Sequence, residues 1–153
     1  MKKISVKQLL DHIEISCEIL DLSFIPELRV VCHSEEIVYQ KNGIIYLNLK
    51  ILEQSVSERF DITYFALFYL TFQLRMMWHE EKFCKEELNS MDFNHFREID
   101  AKALSVLVLA KIYGYTSHVV FLKPYSALIL ERMEDIYINE ENTRNTIDQY
   151  LFY

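Results

Sequence analysis

His79, Cys84, His95 and Glu98 are of types that hold metals and could be proposed together as one site. His95 and Glu98 stand three apart, a spacing that sets two ligands on one helical face. With His79 added they would make a relocated metalloenzyme site, since zinc chemistry needs three protein ligands and an open position. Against this, His79-Glu80-Glu81-Lys82-Phe83 carries no second histidine four residues on, and its charges read as the solvated end of a helix. Cys32-His33 sets a thiol beside an imidazole, the makings of an activated nucleophile. Neighbouring residues on a strand point to opposite faces, however. Two glycines in the whole chain rule out the usual glycine-rich phosphate loops. Tyr137, Tyr150 and Tyr153 offer either a contact surface or the packed side of a C-terminal helix.

The elements that must position these residues follow from periodicity. Ser5 reads as the N-cap of a helix to about Leu20, with Leu9, Leu10, Ile13, Cys17 and Leu20 at helical spacing. Asp21-Leu22-Ser23 and Pro26 end it. Residues 28–33 and 36–40 are β-rich, Lys41-Asn42-Gly43 is a hairpin turn, and residues 44–49 form the return strand. Lys50-Ile51-Leu52 leads into a connecting segment, and residues 55–60 are polar and start a helix. The stretch from Asp61 to about Lys82 is apolar nearly all round its first half, as a buried central helix is. Residues 86–91 form a polar connection, with Ser90 or Asp92 as N-cap of a second buried helix from about Phe93 to Tyr113. Gly114 stops that helix. A short Val119-Val120-Phe121-Leu122 run precedes a helix opened by Pro124 and running to about Tyr137, and a last helix covers residues 143–151.

Composition limits what this assembly does. At 153 residues the chain is expected to be one domain, long enough to bury roughly two thirds of its unfolded surface. Ten Phe and ten Tyr argue against disorder, and two Gly and two Pro favour a mainly helical α+β fold, a β-hairpin or small sheet packed on the two buried helices. A net charge of −7 argues against direct nucleic-acid binding, which needs a clustered basic face, and suits docking on a basic surface. The longest uncharged stretch runs only from Ile62 to Leu74, short of the roughly 20 residues that cross a bilayer, so no membrane partner is expected. Cys17, Cys32 and Cys84 are an odd, widely spaced set without a C-x-x-C pair, which points to reduced thiols in a cytoplasm. The basic start is followed by an apolar run broken at Gln8, Asp11 and Glu14, a helix rather than an export signal.

The central helix carries Phe72-Gln73-Leu74-Arg75-Met76-Met77-Trp78-His79, and about twenty residues later comes Glu98-Ile99-Asp100-Ala101. With a hairpin before them, these segments resemble the zincin core of the small ImmA/IrrE-like and phage-encoded metallopeptidases. The active helix of that family often reads H-E-L-R-H-x-W-Q, and its next helix holds the third ligand in an E-x-D-A type sequence. The resemblance spans about residues 28–113, with the C-terminal helices of about 125–151 outside it. It keeps Leu74, Arg75 and Trp78 and sets Phe72, Gln73 and Met76 where the two histidines and the glutamate belong. Glu98 is then the one ligand position left, with Arg75 as its expected ion-pair partner.

Phe72 cannot ligate, a thioether is a poor zinc ligand, and Gln73 cannot take a proton from water. The resemblance thus implies a chain without catalytic residues, metal or cofactor, in which Phe72 and Met76 fill the former cavity. It implies a phage or mobile-element protein that binds another protein in a regulatory or host-interaction role. A second reading, motivated by charge and size, is an acidic inhibitor of a nucleic-acid-processing host system. The relocated site at His79, His95 and Glu98 is the third.

Overall fold

The computed structural model describes residues 4–55, 61–115 and 126–151. The fold is mainly helical α+β: seven helices and three strands among the described residues. α1 (Val6–Leu20) begins at Ser5, whose hydroxyl accepts from the Gln8 amide, and stops at Asp21 in the left-handed region at φ 52°. Short polar residues tolerate that conformation best after glycine. Leu9, Ile13, Cys17 and Leu20 face the core, whereas Leu10 is on the solvent side at 46 % exposure.

The strands β1 (Glu27–Val31), β2 (Val38–Lys41) and β3 (Ile44–Asn48) make one mixed sheet in the order β1-β3-β2. β2 and β3 are the expected hairpin, with Asn42 and Gly43 both at positive φ, 55° and 76°. Such turns match the right-handed twist of the strands they join. β1 lies parallel to β3 on the other side, with Leu28 opposite Ile45 and Val30 opposite Leu47. Ile45 and Leu47 turn their fully buried side chains to the core, and Tyr39 stacks on Tyr46 across the hairpin at 4.8 Å.

Residues 50–52 are not a plain connection. They belong to α2 (Leu49–Ser55), which starts because the buried Asn48 carboxamide accepts from the Ile51 amide at 3.1 Å. The helix start expected over 56–60 and the apolar run 119–122 lie outside the described residues, as does Pro124. α3 (Ile62–Lys82), capped by Asp61, is the central helix and meets α1, α2, β2, β3 and the second long helix. A four-residue α4 (Lys85–Leu88) interrupts the polar connection, and Ser90 caps α5 (Met91–Tyr113), which Gly114 ends at φ 75°. α6 (Ser126–Asn139) packs on α5, and α7 (Glu141–Gln149) touches α1, α5 and α6.

The core is one cluster drawn from every layer, with Leu67, Leu70 and Leu74 of α3 and Leu104, Val108 and Leu109 of α5 fully buried. Each such side chain contributes about 1.5–3 kcal/mol by leaving water. No helix among the described residues is long and apolar enough to cross a membrane.

Candidate functional site

Where α3 meets α5, apolar packing gives way to charge. Arg75 is fully buried, and its guanidinium forks onto Asp100 of α5, Nε to Oδ2 at 2.7 Å and Nη2 to Oδ1 at 3.2 Å. Nη2 also donates to both oxygens of Glu140, at 3.1 and 2.8 Å. One turn along α3, Nε2 of the fully buried His79 lies 2.6 Å from Asp100 Oδ2. Arg132 of α6 completes the set, Nε to Asp100 Oδ1 at 2.8 Å and Nη2 to Glu140 at 3.3 Å, with a further bond to Asp135. Trp78 covers the Arg75 guanidinium at 3.9 Å, and Phe96 lies under that of Arg132.

Asp100 therefore accepts four hydrogen bonds, the full capacity of a carboxylate. Burial alone would raise its pKa. The bonds from His79 and Arg75 and the charges of Arg75 and Arg132 outweigh that and hold the carboxyl well below its usual range. Burial pulls Arg75 towards losing its proton, and Asp100 and Glu140 more than restore it, so the guanidinium stays charged. For His79 burial wins: it lowers the imidazole below its ordinary value against the pull of Asp100, with the charges of Arg75 and Arg97 adding to the lowering. A neutral His79 donates from Nε2; its ring packs among Trp78, Phe83 and Phe93, and its Nδ1 has no hydrogen-bond partner among the described residues. Two full cations thus share Asp100 and Glu140, with Asp135 on the outer side of Arg132, and four helices are tied at one point.

The positions expected to mark the site lie elsewhere. Phe72, Gln73 and Met76 are only half-buried. At roughly 100° per residue Gln73 points away from the row Arg75–His79 that looks at α5, whereas Phe72 and Met76 flank that row. Phe72 and Met76 do not fill an interior cavity; Arg75 takes the interior place. Glu98 is exposed, and Arg75 pairs with Asp100 instead. Two residues on a helix differ by roughly 200°, so Glu98 and Asp100 look in opposite directions. The relocated metal set does not assemble either. His79 is buried against Asp100 while Cys84, His95 and Glu98 are exposed, and no three metal-ligating side chains are grouped among the described residues. Cys32 and His33 do touch, Sγ to Nε2 at 3.5 Å, because both lie in a bend past the end of β1, where strand alternation no longer separates them.

A second buried polar network went unread in the sequence. His12 of α1 is fully buried between Tyr113, whose hydroxyl lies 2.9 Å from Nδ1, and Thr71, whose Oγ1 lies 2.6 Å from Nε2. Thr71 donates to the Leu67 carbonyl at 2.8 Å, so it accepts from Nε2–H and leaves Nδ1 to accept from Tyr113. Burial pushes His12 down to about 3, so the ring is neutral. The signal was present as a histidine on the apolar row of α1, between Leu9 and Ser16. Of the C-terminal tyrosines, Tyr137 bonds Asp148 at 2.6 Å and Tyr150 bonds Glu18, so both tie α7 down. Tyr153 lies outside the described residues.

No protein-family model, curated protein or solved structure matches this chain.

Proposed function

We propose that this protein is a non-catalytic relative of the zincins that works by binding another protein. The observation that carries this reading is the buried Arg75, a fixed organic cation held by Asp100 and backed by His79. Arg75 and His79 are four apart on the face of α3 that meets α5, the relation that H-E-x-x-H requires of its two histidines. Moving the family register three residues along gives up the matches at Leu74, Arg75 and Trp78 and gains His79 as one of the two histidines. Arg75-Met76-Met77-Trp78-His79 then stands against H-E-x-x-H, with Asp100 of Asp100-Ala101 as third ligand. One imidazole and one carboxylate are kept, the first histidine has become arginine and the general base has become Met76. Arg75 supplies the positive charge that a metal would bring and offers no water to activate. His79 and Asp100 have the pairing of a general base and its orienting acid. At 0 % exposure, however, the ring cannot meet a substrate.

The test is to reverse the exchange. Arg75→His with Met76→Glu should bind one zinc per chain, measured by competition with a chromophoric chelator, and zinc should raise its thermal midpoint. Phe72→His, Gln73→Glu and Met76→His together should not. A folded Arg75→His, Met76→Glu variant that ignores zinc removes the zincin reading, and peptide hydrolysis by the unmodified protein removes the non-catalytic one.

A further inference from the structure

We propose that the groove between α5 and α6 docks a basic, amphipathic helix of a partner protein. This names the partner class for the protein-binding function above and rests on that reading. The groove has a volume of about 630 Å³ and a floor of Phe96, Ile99, Leu128 and Ile138. Phe96, Leu128 and Ile138 are 37 %, 47 % and 57 % exposed, more apolar surface in one place than a solvated face needs. Leu128 and Ile138 lie ten residues apart on α6, about 15 Å along its axis, enough for roughly three turns of an incoming helix. A helix that lays its apolar row into such a groove is a recurring mode of recognition.

Charge selects the occupant. Glu131, Glu134 and Asp135 rim the groove. The one cation among its described lining residues, Arg132, is already committed to Asp100, Glu140 and Asp135. The rim is therefore net acidic, on a chain of net charge −7. It repels phosphate backbones, anionic lipid surfaces and a second copy of itself. It attracts a helix whose apolar row is flanked by Lys or Arg, and contact with the rim carboxylates would also speed and orient the encounter. The apolar floor supplies the affinity and the acidic rim the choice of sign.

The probe is a fluorescein-labelled peptide of roughly 18 Leu and Lys residues with Leu at i, i+3, i+4 and i+7, long enough to form a helix on binding. A Leu/Glu peptide with the same Leu positions is its control. Anisotropy titration should show binding of the Leu/Lys peptide alone. Leu128→Asp and Ile138→Asp should each weaken it at least tenfold at unchanged thermal midpoint. Glu131→Lys with Glu134→Lys should weaken it about tenfold and flatten its salt dependence. Val6→Asp, on the exposed side of α1, should change nothing. Equal binding by all variants, or by the Leu/Glu peptide, overturns the groove, as does concentration-dependent self-association that Ile138→Asp abolishes. Affinity capture from the source cells separates the two levels. A protein held by the unmodified chain, lost on Ile138→Asp and bound through a basic amphipathic segment that competes with the Leu/Lys peptide supports both. One held equally by both chains leaves the protein-binding reading and removes the groove. No protein held by either chain removes both.

Discussion

Arg75 Nε and His79 Nε2 converge on a single oxygen, Oδ2 of Asp100, at 2.7 and 2.6 Å. Two donors from successive turns of α3 are thereby pinned to α5, and Glu140 and Arg132 extend the tie to α7 and α6. Desolvating these charges is costly, and the bonds that Asp100 and Glu140 make to the two guanidinium groups offset it, although Arg75 Nη1 is buried without a hydrogen-bond partner among the described residues. The set should therefore fail as a unit when one member is removed.

Arg75→Met should cost about 3–5 kcal/mol, because it leaves the buried Asp100 and the half-buried Glu140 with Arg132 as the remaining cation. Arg75→Lys should recover only part of this, since an ammonium cannot fork onto Asp100 while also reaching Glu140. Urea unfolding of the three proteins measures it. A cost within about 0.5 kcal/mol for Arg75→Met, the range of ordinary surface changes, would show that the cluster does not hold the helices together.

Glu98 and Asp100 are two residues apart and should behave oppositely. Asp100→Asn removes the negative charge and turns one of its two accepting oxygens into a donating NH2, so it should lower stability by several kcal/mol, of the order that breaking a buried pair costs. Glu98→Gln, on the exposed face, should fall within about 0.5 kcal/mol of the unmodified protein. Equal effects from the two substitutions would mean that α5 presents a different face to α3.

Local signals were legible in the chain. Ser5 and Ser90 as N-caps, Asn42-Gly43 as a turn and Gly114 as a stop each act within one turn of their own position. α2 has no local signal because its start depends on the Asn48 side chain, which is fixed by Ser34 in the connection between β1 and β2. The site was half-legible for a similar reason. Arg75, His79 and Asp100 all sit in the segments singled out, but only helix phase tells Asp100 from Glu98. The apolar run Ala101, Leu104, Val108 following Asp100 on its own side gave that phase. Arg132 and Glu140 come from beyond residue 125, and no pattern within α3 or α5 points to them.

Gly43→Ala should cost about 1–2 kcal/mol, the strain of a left-handed conformation with a Cβ. Its φ is 76°, and an added Cβ would meet the Phe24 ring at 3.5 Å, an ordinary contact, so crowding adds nothing. Gly43→Asn should recover part of the loss, because asparagine tolerates such values, as Asn42 does at φ 55°. Chemical denaturation resolves a difference of this size.

Acid should unfold this protein earlier than carboxylate titration alone would, and His12 is the main reason. Folded, it titrates at about 3; unfolded, at its ordinary value near 6.5. Between those values the unfolded chain binds the extra proton, so stability falls as pH falls through the window and is unaffected above it. The slope approaches about 1.4 kcal/mol per pH unit for one such group. His79, lowered by burial, pulls in the same direction. Asp100 contributes only as the pH drops below about 4, where unfolded carboxylates protonate. Urea unfolding between about pH 4.5 and 6 therefore isolates the histidines. His12→Leu should lower stability at neutral pH, since it strands Thr71 and Tyr113, yet reduce the slope in that interval by close to one proton. An unchanged slope would mean that His12 is reached by water and protonates in the folded chain.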